Sequence, residues 1–364
     1  MVKLFFLIIG ILAIFSSCDA SSKFYKTDIV KYKDIDIHYD TIHLYDITKL
    51  NAEVLDLLCI DNYLIVAQDN NDSLFIVIDT KTDSIIASFG KIGHARNEFH
   101  TTPEIVYCIR KEDGSPLLCV LEEVDTKIID LQKSIEANMC IISEIIKEKK
   151  NSFFYHTYHL PGNKRFIFKT ASYKDPRDEI YFPPEFSLMD KKEKIWNIYP
   201  EIIKPQFKSS VIGDYYSTIS VTPDGRHLAN VNYHIGIITI FDLEKKLSTG
   251  IIYPDSYSYD YLESEVTDNN VDEKIRIYNF AACATNQGFV VLECGKTLKE
   301  KSEDDNNCRE NVGLKLLGYD WEGNCLFAFN VDKNISYIAY NENDKKIYAT
   351  DLLNGKLYNC IIKQ

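Results

Sequence analysis

The chain has 364 residues and 45% hydrophobic content, enough for a sizeable core. Its formal net charge of −13 argues against nucleic acid as a partner, because such binding rests on Lys and Arg meeting phosphates. Tyr (24) and Phe (19) are abundant while Gly (15) and Pro (10) are modest, a balance that favours strands.

In chain order, the first feature is a short greasy run. Lys3 precedes residues 4–15, which are apolar but for Gly10, and the small Ser16 and Ser17 follow. That is the layout of a secretory signal peptide, here residues 1–17. The run is too short to cross a bilayer, which takes about 20 apolar residues. The stretch "IFSSCD" resembles a bacterial lipoprotein signal, in which a small residue precedes an obligatory cysteine. Phe15 stands where that pattern has Leu. The resemblance implies cleavage before Cys18, lipidation of Cys18 and anchoring in the cell envelope, with the outer membrane as the expected location. The alternative is a plain secretory signal with an incidental cysteine, but no A-x-A-like site lies nearby. Residues 18–38 then read as a lipidated N-terminus and linker.

Residues 54–89 separate into four short strands, 54–60, 63–68, 73–79 and 84–89, with turn residues between them. Residues 217–252 repeat the plan. The Pro223-Asp224-Gly225 turn presets φ at Pro and tolerates positive φ at Gly. The third strands end alike, as "FIVIDT" and "ITIFDL". Weaker copies start at Glu104, Phe154 and Ile275, and a last copy has only three strands. Four-stranded units repeated along a chain predict a β-propeller. The missing strand of the last unit can come from residues 39–47, closing the ring and removing the sheet edges there. The expected fold is therefore an all-β, six-bladed β-propeller over residues 39–364, and the expected state is a monomer.

The segment "SFGKIGHARNEFHTTPEI" resembles the inter-blade segment of NHL-type and TolB-like six-bladed propellers. Phe89, Gly90, Gly93, Phe99 and Pro103 match that pattern, while His94-Ala95-Arg96-Asn97 replaces its Gly- and Pro-rich stretch. The resemblance points to propeller lipoproteins of anaerobic Gram-negative gut bacteria. It implies fold and location, and little chemistry.

Catalytic signatures are missing from the sequence. There is no H-E-x-x-H and no G-x-S-x-G. Gly295-Lys296-Thr297 imitates a P-loop ending but runs into "KEKSEDD", which would repel phosphate and reads as a solvated mobile loop. His156 and His159 fall on opposite faces of a strand and cannot chelate together. The run Asp69 to Asp72 looks like a calcium loop, but Leu74 occupies the position that needs Gly. No metal or cofactor is expected. Most of the ten cysteines sit in apolar runs and read as small hydrophobes. Cys308 lies in a polar stretch, which leaves open a bridge to Cys294. Among the expected channel-lining first strands, only "FYHTYH" offers obvious acid–base side chains, so binding is favoured over catalysis. An enzyme with a central-channel site, a lyase or hydrolase, is the alternative.

The longest segments are 171–184 and 295–312, between second and third strands, and 90–102, 200–216 and 253–274, between blades. In a propeller all of these open on one face, and the remaining turns are expected to be short. Long loops on a rigid scaffold are where binding residues tend to sit. Arg96, Arg177, Tyr181, Tyr257, Tyr259 and Tyr261 are the candidate contacts for a protein, peptide or glycan.

Overall fold

In a computed structural model, residues 28–31, 40–50, 52–103, 105–122, 125–147, 155–169, 172–173, 181–182, 185–198, 217–234, 236–256, 270–307, 309, 311–351 and 355–362 are described. Three short strands come first: β1 (Asp28–Lys31), β2 (Asp40–Ile42) and β3 (Tyr45–Lys49).

Six antiparallel sheets of four blade strands follow. Blade 1 is β4 (Val54–Ile60), β5 (Tyr63–Gln68), β6 (Phe75–Asp79) and β7 (Ser84–Phe89). Blade 2 is β8 (Ile105–Arg110), β9 (Pro116–Glu122), β10 (Asp125–Asp130) and β11 (Ile142–Lys147). Blade 3 is β12 (Tyr155–Leu160), β13 (Lys164–Lys169), β16 (Glu185–Asp190) and β17 (Glu193–Ile198), with the ribbon β14 (Ser172–Tyr173) and β15 (Tyr181–Phe182) inserted. Blade 4 is β18 (Ser217–Val221), β19 (His227–Asn232), β20 (Ile237–Asp242) and β21 (Leu247–Ile252). Blade 5 is β22 (Arg276–Ala284), β23 (Gly288–Thr297), β24 (Lys315–Asp320) and β25 (Cys325–Val331). Blade 6 is β26 (Tyr337–Asn341), β27 (Lys346–Asp351) and β28 (Lys356–Ile361), completed by β3. The six-bladed propeller expected from the repeats is what the chain forms.

The ring closes as a three-plus-one blade. β3 pairs antiparallel with β28, with Lys49 opposite Lys356 and Tyr45 opposite Asn359. The sequence placed the whole of 39–47 on that strand. Instead β2 leaves it and pairs parallel with β25, the outer strand of blade 5. Upstream, β1 lies in the stretch expected as linker and pairs parallel with β21, the outer strand of blade 4. The N-terminal segment thus belts the rim from blade 4 through blade 5 to blade 6. Each pairing covers an outer strand edge that would otherwise present unpaired backbone groups.

The core is a set of apolar layers between neighbouring blades. Phe166, Phe186 and Phe241 join blades 3 and 4. Phe75, Phe99 and Val120 join blades 1 and 2. Tyr348, Leu57 and Leu64 join blades 6 and 1. Blade 6 is also latched to blade 1 by polar groups. The Asp83 carboxylate accepts from Lys346 Nζ at 2.9 Å, Tyr348 OH at 3.0 Å and Asn359 Nδ2 at 2.9 Å.

Two helices depart from the sequence expectation. The stretch containing "EKSEDD", read as a mobile solvated loop, is a helix over Leu298–Asn306. Thr297 caps it, accepting from the Glu300 N–H, while the Glu300 side chain returns to the Thr297 N–H. That reciprocal box was legible in "TLKE". The turns of the opposite face are not all short either, because the connection from β10 to β11 carries the helix Leu131–Ala137. Asp130 caps that helix and Asn138 ends it in the left-handed region, at φ 47°.

Candidate functional site

The inner strands β4, β8, β12, β18, β22 and β26 surround the propeller axis, and they bring one carboxyl into it. Asp56 on β4 has its Oδ1 accepting the Leu57 N–H at 2.8 Å. Burial pushes the Asp56 carboxyl up to about 7. Its field reaches Cys108 on β8, Tyr158 on β12, Cys283 on β22 and Tyr337 on β26, so it faces inner strands from four other blades. Sequence reasoning passed over this residue in "LDLLCI", although an Asp inside an otherwise apolar first strand was the available signal.

The thiols and phenols around Asp56 are quiet. Burial raises Cys59 and Cys108 well above the ordinary thiol range and Cys283 to about 12, so they stay protonated at neutral pH. His159 on β12 is buried, and desolvation pushes its imidazole down to about 4. Its backbone N–H donates to Tyr107 Oη at 2.6 Å. The expectation that cysteines serve as small hydrophobes holds for Cys108, Cys119, Cys140, Cys283, Cys294 and Cys360, which are all buried and free. Cys308 lies outside the described residues. Among the described residues no group of three or more His, Cys, Asp or Glu could hold a metal ion.

The channel mouth on the short-turn face is bridged. Arg110, at the end of β8, forms a bidentate pair with Asp61 of blade 1 at 2.5 and 3.1 Å. Its backbone N–H donates to the Pro223 carbonyl of blade 4 at 2.7 Å. Asn341 and Glu342 of blade 6 add bonds to the Asp61 carbonyl and the Asn286 N–H, each at 3.0 Å. The cavity left there is about 110 Å³. A neighbouring groove between blades 5 and 6, lined by Phe289, Tyr319, Phe327 and Tyr340, is about 230 Å³. Both are smaller than the roughly 300–1,000 Å³ of typical ligand pockets.

The opposite, long-loop face is built differently. Residues 90–103 leave blade 1 at Gly90, whose φ is +85° and where a Cβ would lie 2.9 Å from the Phe75 ring. The segment doubles back on itself. The Gly93 N–H donates to the Phe99 carbonyl at 2.7 Å, and the Phe99 N–H donates to the Lys91 carbonyl at 2.8 Å. Phe99 is fully buried against Phe75. Beneath it lies an ion pair between Lys127 and Glu122 at 2.5 Å, with both side chains at least nine-tenths buried. Glu122 also accepts from the His100 and Thr101 N–H groups, and Lys127 Nζ donates to the Glu98 carbonyl at 2.7 Å. The result is a rigid loop whose tip, His94 to Asn97, is exposed. Arg96, predicted as a contact residue, sits on that tip.

The helix Leu298–Asn306 belongs to the same face and is equally fixed. Lys296 and Arg309 both pair with the buried Asp304 carboxylate. Burial alone would raise Asp304, yet these two cations hold it below the usual carboxylate range. Asn334 donates to Asp305 at 2.8 Å, tying the helix to the link into blade 6. Tyr253, the first residue of the 253–274 link, is buried and donates its hydroxyl to Asn279 at 3.0 Å. The backbone of Tyr181 pairs with Tyr173 in the β14–β15 ribbon. Arg177, Tyr257, Tyr259, Tyr261 and Cys18 lie outside the described residues. The run Asp69 to Asp72 is a hairpin loop, where Asn70 Oδ1 accepts the Asp72 N–H at 3.1 Å.

No family model matches this sequence, and no curated protein matches it either. Solved structures share the fold. A DUF4221 family member from Bacteroides vulgatus is 11% identical with a TM-score of 0.54, over 89% of this chain and 99% of that one. The Cps50 (Swd1) β-propeller domain from Myceliophteria thermophila is 11% identical at TM-score 0.41, over 88% of this chain and 100% of that one. Raptor from Chaetomium thermophilum is 12% identical at TM-score 0.47, over 89% of this chain and 29% of that one. At 11% identity the likeness to the DUF4221 family member extends to the fold alone.

Proposed function

We propose that this chain is a monomeric cell-envelope lipoprotein whose propeller is a binding scaffold for a protein, peptide or glycan. Cys18 is its lipid attachment point, and the long-loop face is its contact surface. The observation that carries the reading is the contrast between the two faces. The short-turn mouth is bridged by Arg110 and leaves little volume. The long-loop face presents Arg96 on a loop locked from beneath by Phe99, Glu122 and Lys127. A pre-ordered loop loses little entropy on binding, and Arg offers paired donors to carboxylate or hydroxyl groups. The resemblance of residues 88–105 to NHL-type and TolB-like inter-blade segments supports the same reading. Crosslinking the anchored protein in its own membrane, with partners identified by mass, tests it. Partner adducts from the Arg96 loop support it, and adducts confined to the short-turn face would sink it.

One observation favours a second reading, a channel enzyme. Asp56 is a lumenal carboxyl that titrates about where a general acid or base operates. A hydrolase or lyase activity abolished by Asp56→Asn, with folding intact, would establish that reading over the first.

A further inference from the structure

The exposed large hydrophobic side chains of the described residues gather on one part of the rim. They are Tyr45, Ile85, Ile86, Leu247, Leu326 and Ile361, with Met139 and Ile145 the exceptions. Outer strands run from the short-turn face toward the long-loop face. Tyr45 and Leu247 are the first residues of β3 and β21, Leu326 is the second of β25, and Ile85 and Ile86 follow the first residue of β7. Ile361 ends β28, which runs the other way. All six therefore lie at the short-turn end, on the consecutive blades 4, 5, 6 and 1.

Lysines stand beside them. Lys81, Lys246 and Lys345 are exposed at the hairpin tips of blades 1, 4 and 6. Lys246 immediately precedes Leu247, and the Lys345 carbonyl accepts the N–H of Ile362, next to Ile361. Exposed Glu244 and Glu322 stand at the same tips, so the arc is of mixed charge, and it is the apolar side chains, with a Tyr among them, that suit the boundary between acyl chains and headgroups.

The chain's direction gives a second, independent indication. β1 is parallel to β21, with Asp28 opposite Thr249 and Lys31 opposite Ile252. Asp28 is thus the end of β1 nearer the short turns, opposite Thr249 and two residues from Leu247 on β21. The ten residues from Cys18 to Thr27 reach at most about 33–36 Å when extended.

We propose that the short-turn rim of blades 4, 5, 6 and 1 rests on the phospholipid bilayer that holds the N-terminus, turning the long-loop face away from the membrane. This rests on the reading of Cys18 as the lipid attachment point. Single scattered apolar residues on a rim need no partner. Here they share one side and one arc with the tether.

The test places a photocrosslinking amino acid at Leu247, Leu326 or Ile361 of the full chain, and at Arg96 as the opposite-face control. The protein is irradiated in bacterial membranes that process lipoproteins. Adducts and the Cys18 peptide are then read by mass. Phospholipid adducts from the three rim positions, and loss of that signal at Arg96, are the expected result. Phospholipid adducts from Arg96 alone, or none from any position, with Cys18 acylated, overturn the orientation and leave the anchor standing. Rim adducts that are protein rather than lipid also overturn it, assigning the arc to a protein partner. Rim lipid adducts with an unmodified Cys18 peptide support the orientation and sink the anchor reading.

Discussion

Arg110 and Asp61 form a two-pronged ion pair, at 2.5 and 3.1 Å, that joins blade 2 to blade 1 across the channel mouth. With the Arg110 N–H bonded to the Pro223 carbonyl, one residue ties three blades. Both side chains are partly solvated, so the pair is worth less than its geometry suggests. Arg110→Ala is expected to cost about 1 kcal/mol, read as a shift of the denaturant midpoint at unchanged slope. A neutral substitution would show that the backbone bond alone holds the mouth.

The Asp56 carboxyl titrates at about 7 in the folded chain, against 3.8 when exposed. A folded-state pKa above the unfolded one means that stability is fully present below about pH 4 and is lost as pH rises through 7. Asp56→Asn removes that loss. It is expected to raise the melting temperature at pH 8 and change it little at pH 4, other titrations being common to both proteins. An equal gain at both pH values would mean that packing, not ionisation, is responsible.

Glu122 and Lys127 form the buried pair under the Arg96 loop. Glu122→Ala leaves a buried ammonium unpaired and is expected to cost about 3–5 kcal/mol. Adding Lys127→Met should return only part of this, since the His100 and Thr101 N–H groups still lack their acceptor. Full recovery in the double variant would show that those N–H groups find other partners. Hydrogen exchange at residues 94–101 should speed up in both variants.

The N-terminal belt is expected to act in two grades. Deleting residues 19–38 removes β1 and should lower the melting temperature modestly. Deleting residues 19–49 also removes β2 and β3, opens the edge of β28 and should abolish a single cooperative transition. Identical melts for the two deletions would locate ring closure elsewhere.

Much of the propeller was legible because its blades repeat a period-2 pattern punctuated by turns such as Asp61-Asn62 and Pro223-Asp224-Gly225. Closure by the N-terminus followed from counting strands. The split of residues 39–47 between two blades did not, because β2 is three residues long and parallel pairing leaves no turn to read. The Leu298–Asn306 helix was hidden by charge, although its capping box stood in the sequence. Arg96 was proposed as a contact through loop length, whereas the Glu122–Lys127 pair under its loop was not legible, since that pair is assembled by tertiary contact. Asp56 was missed because one Asp in a strand looks like alternation until the ring places it in the lumen.

Partner capture in the native membrane tests the binding account most directly. Tyr257→Ala, Tyr259→Ala and Tyr261→Ala combined with Arg96→Ala should abolish recovery of the partner that crosslinks to the wild-type protein, with the melting temperature unchanged. Lys81→Ala and Lys192→Ala, on short-turn tips, should leave recovery intact. Equal recovery from all the variants, or loss only with the short-turn changes, would contradict a long-loop binding face.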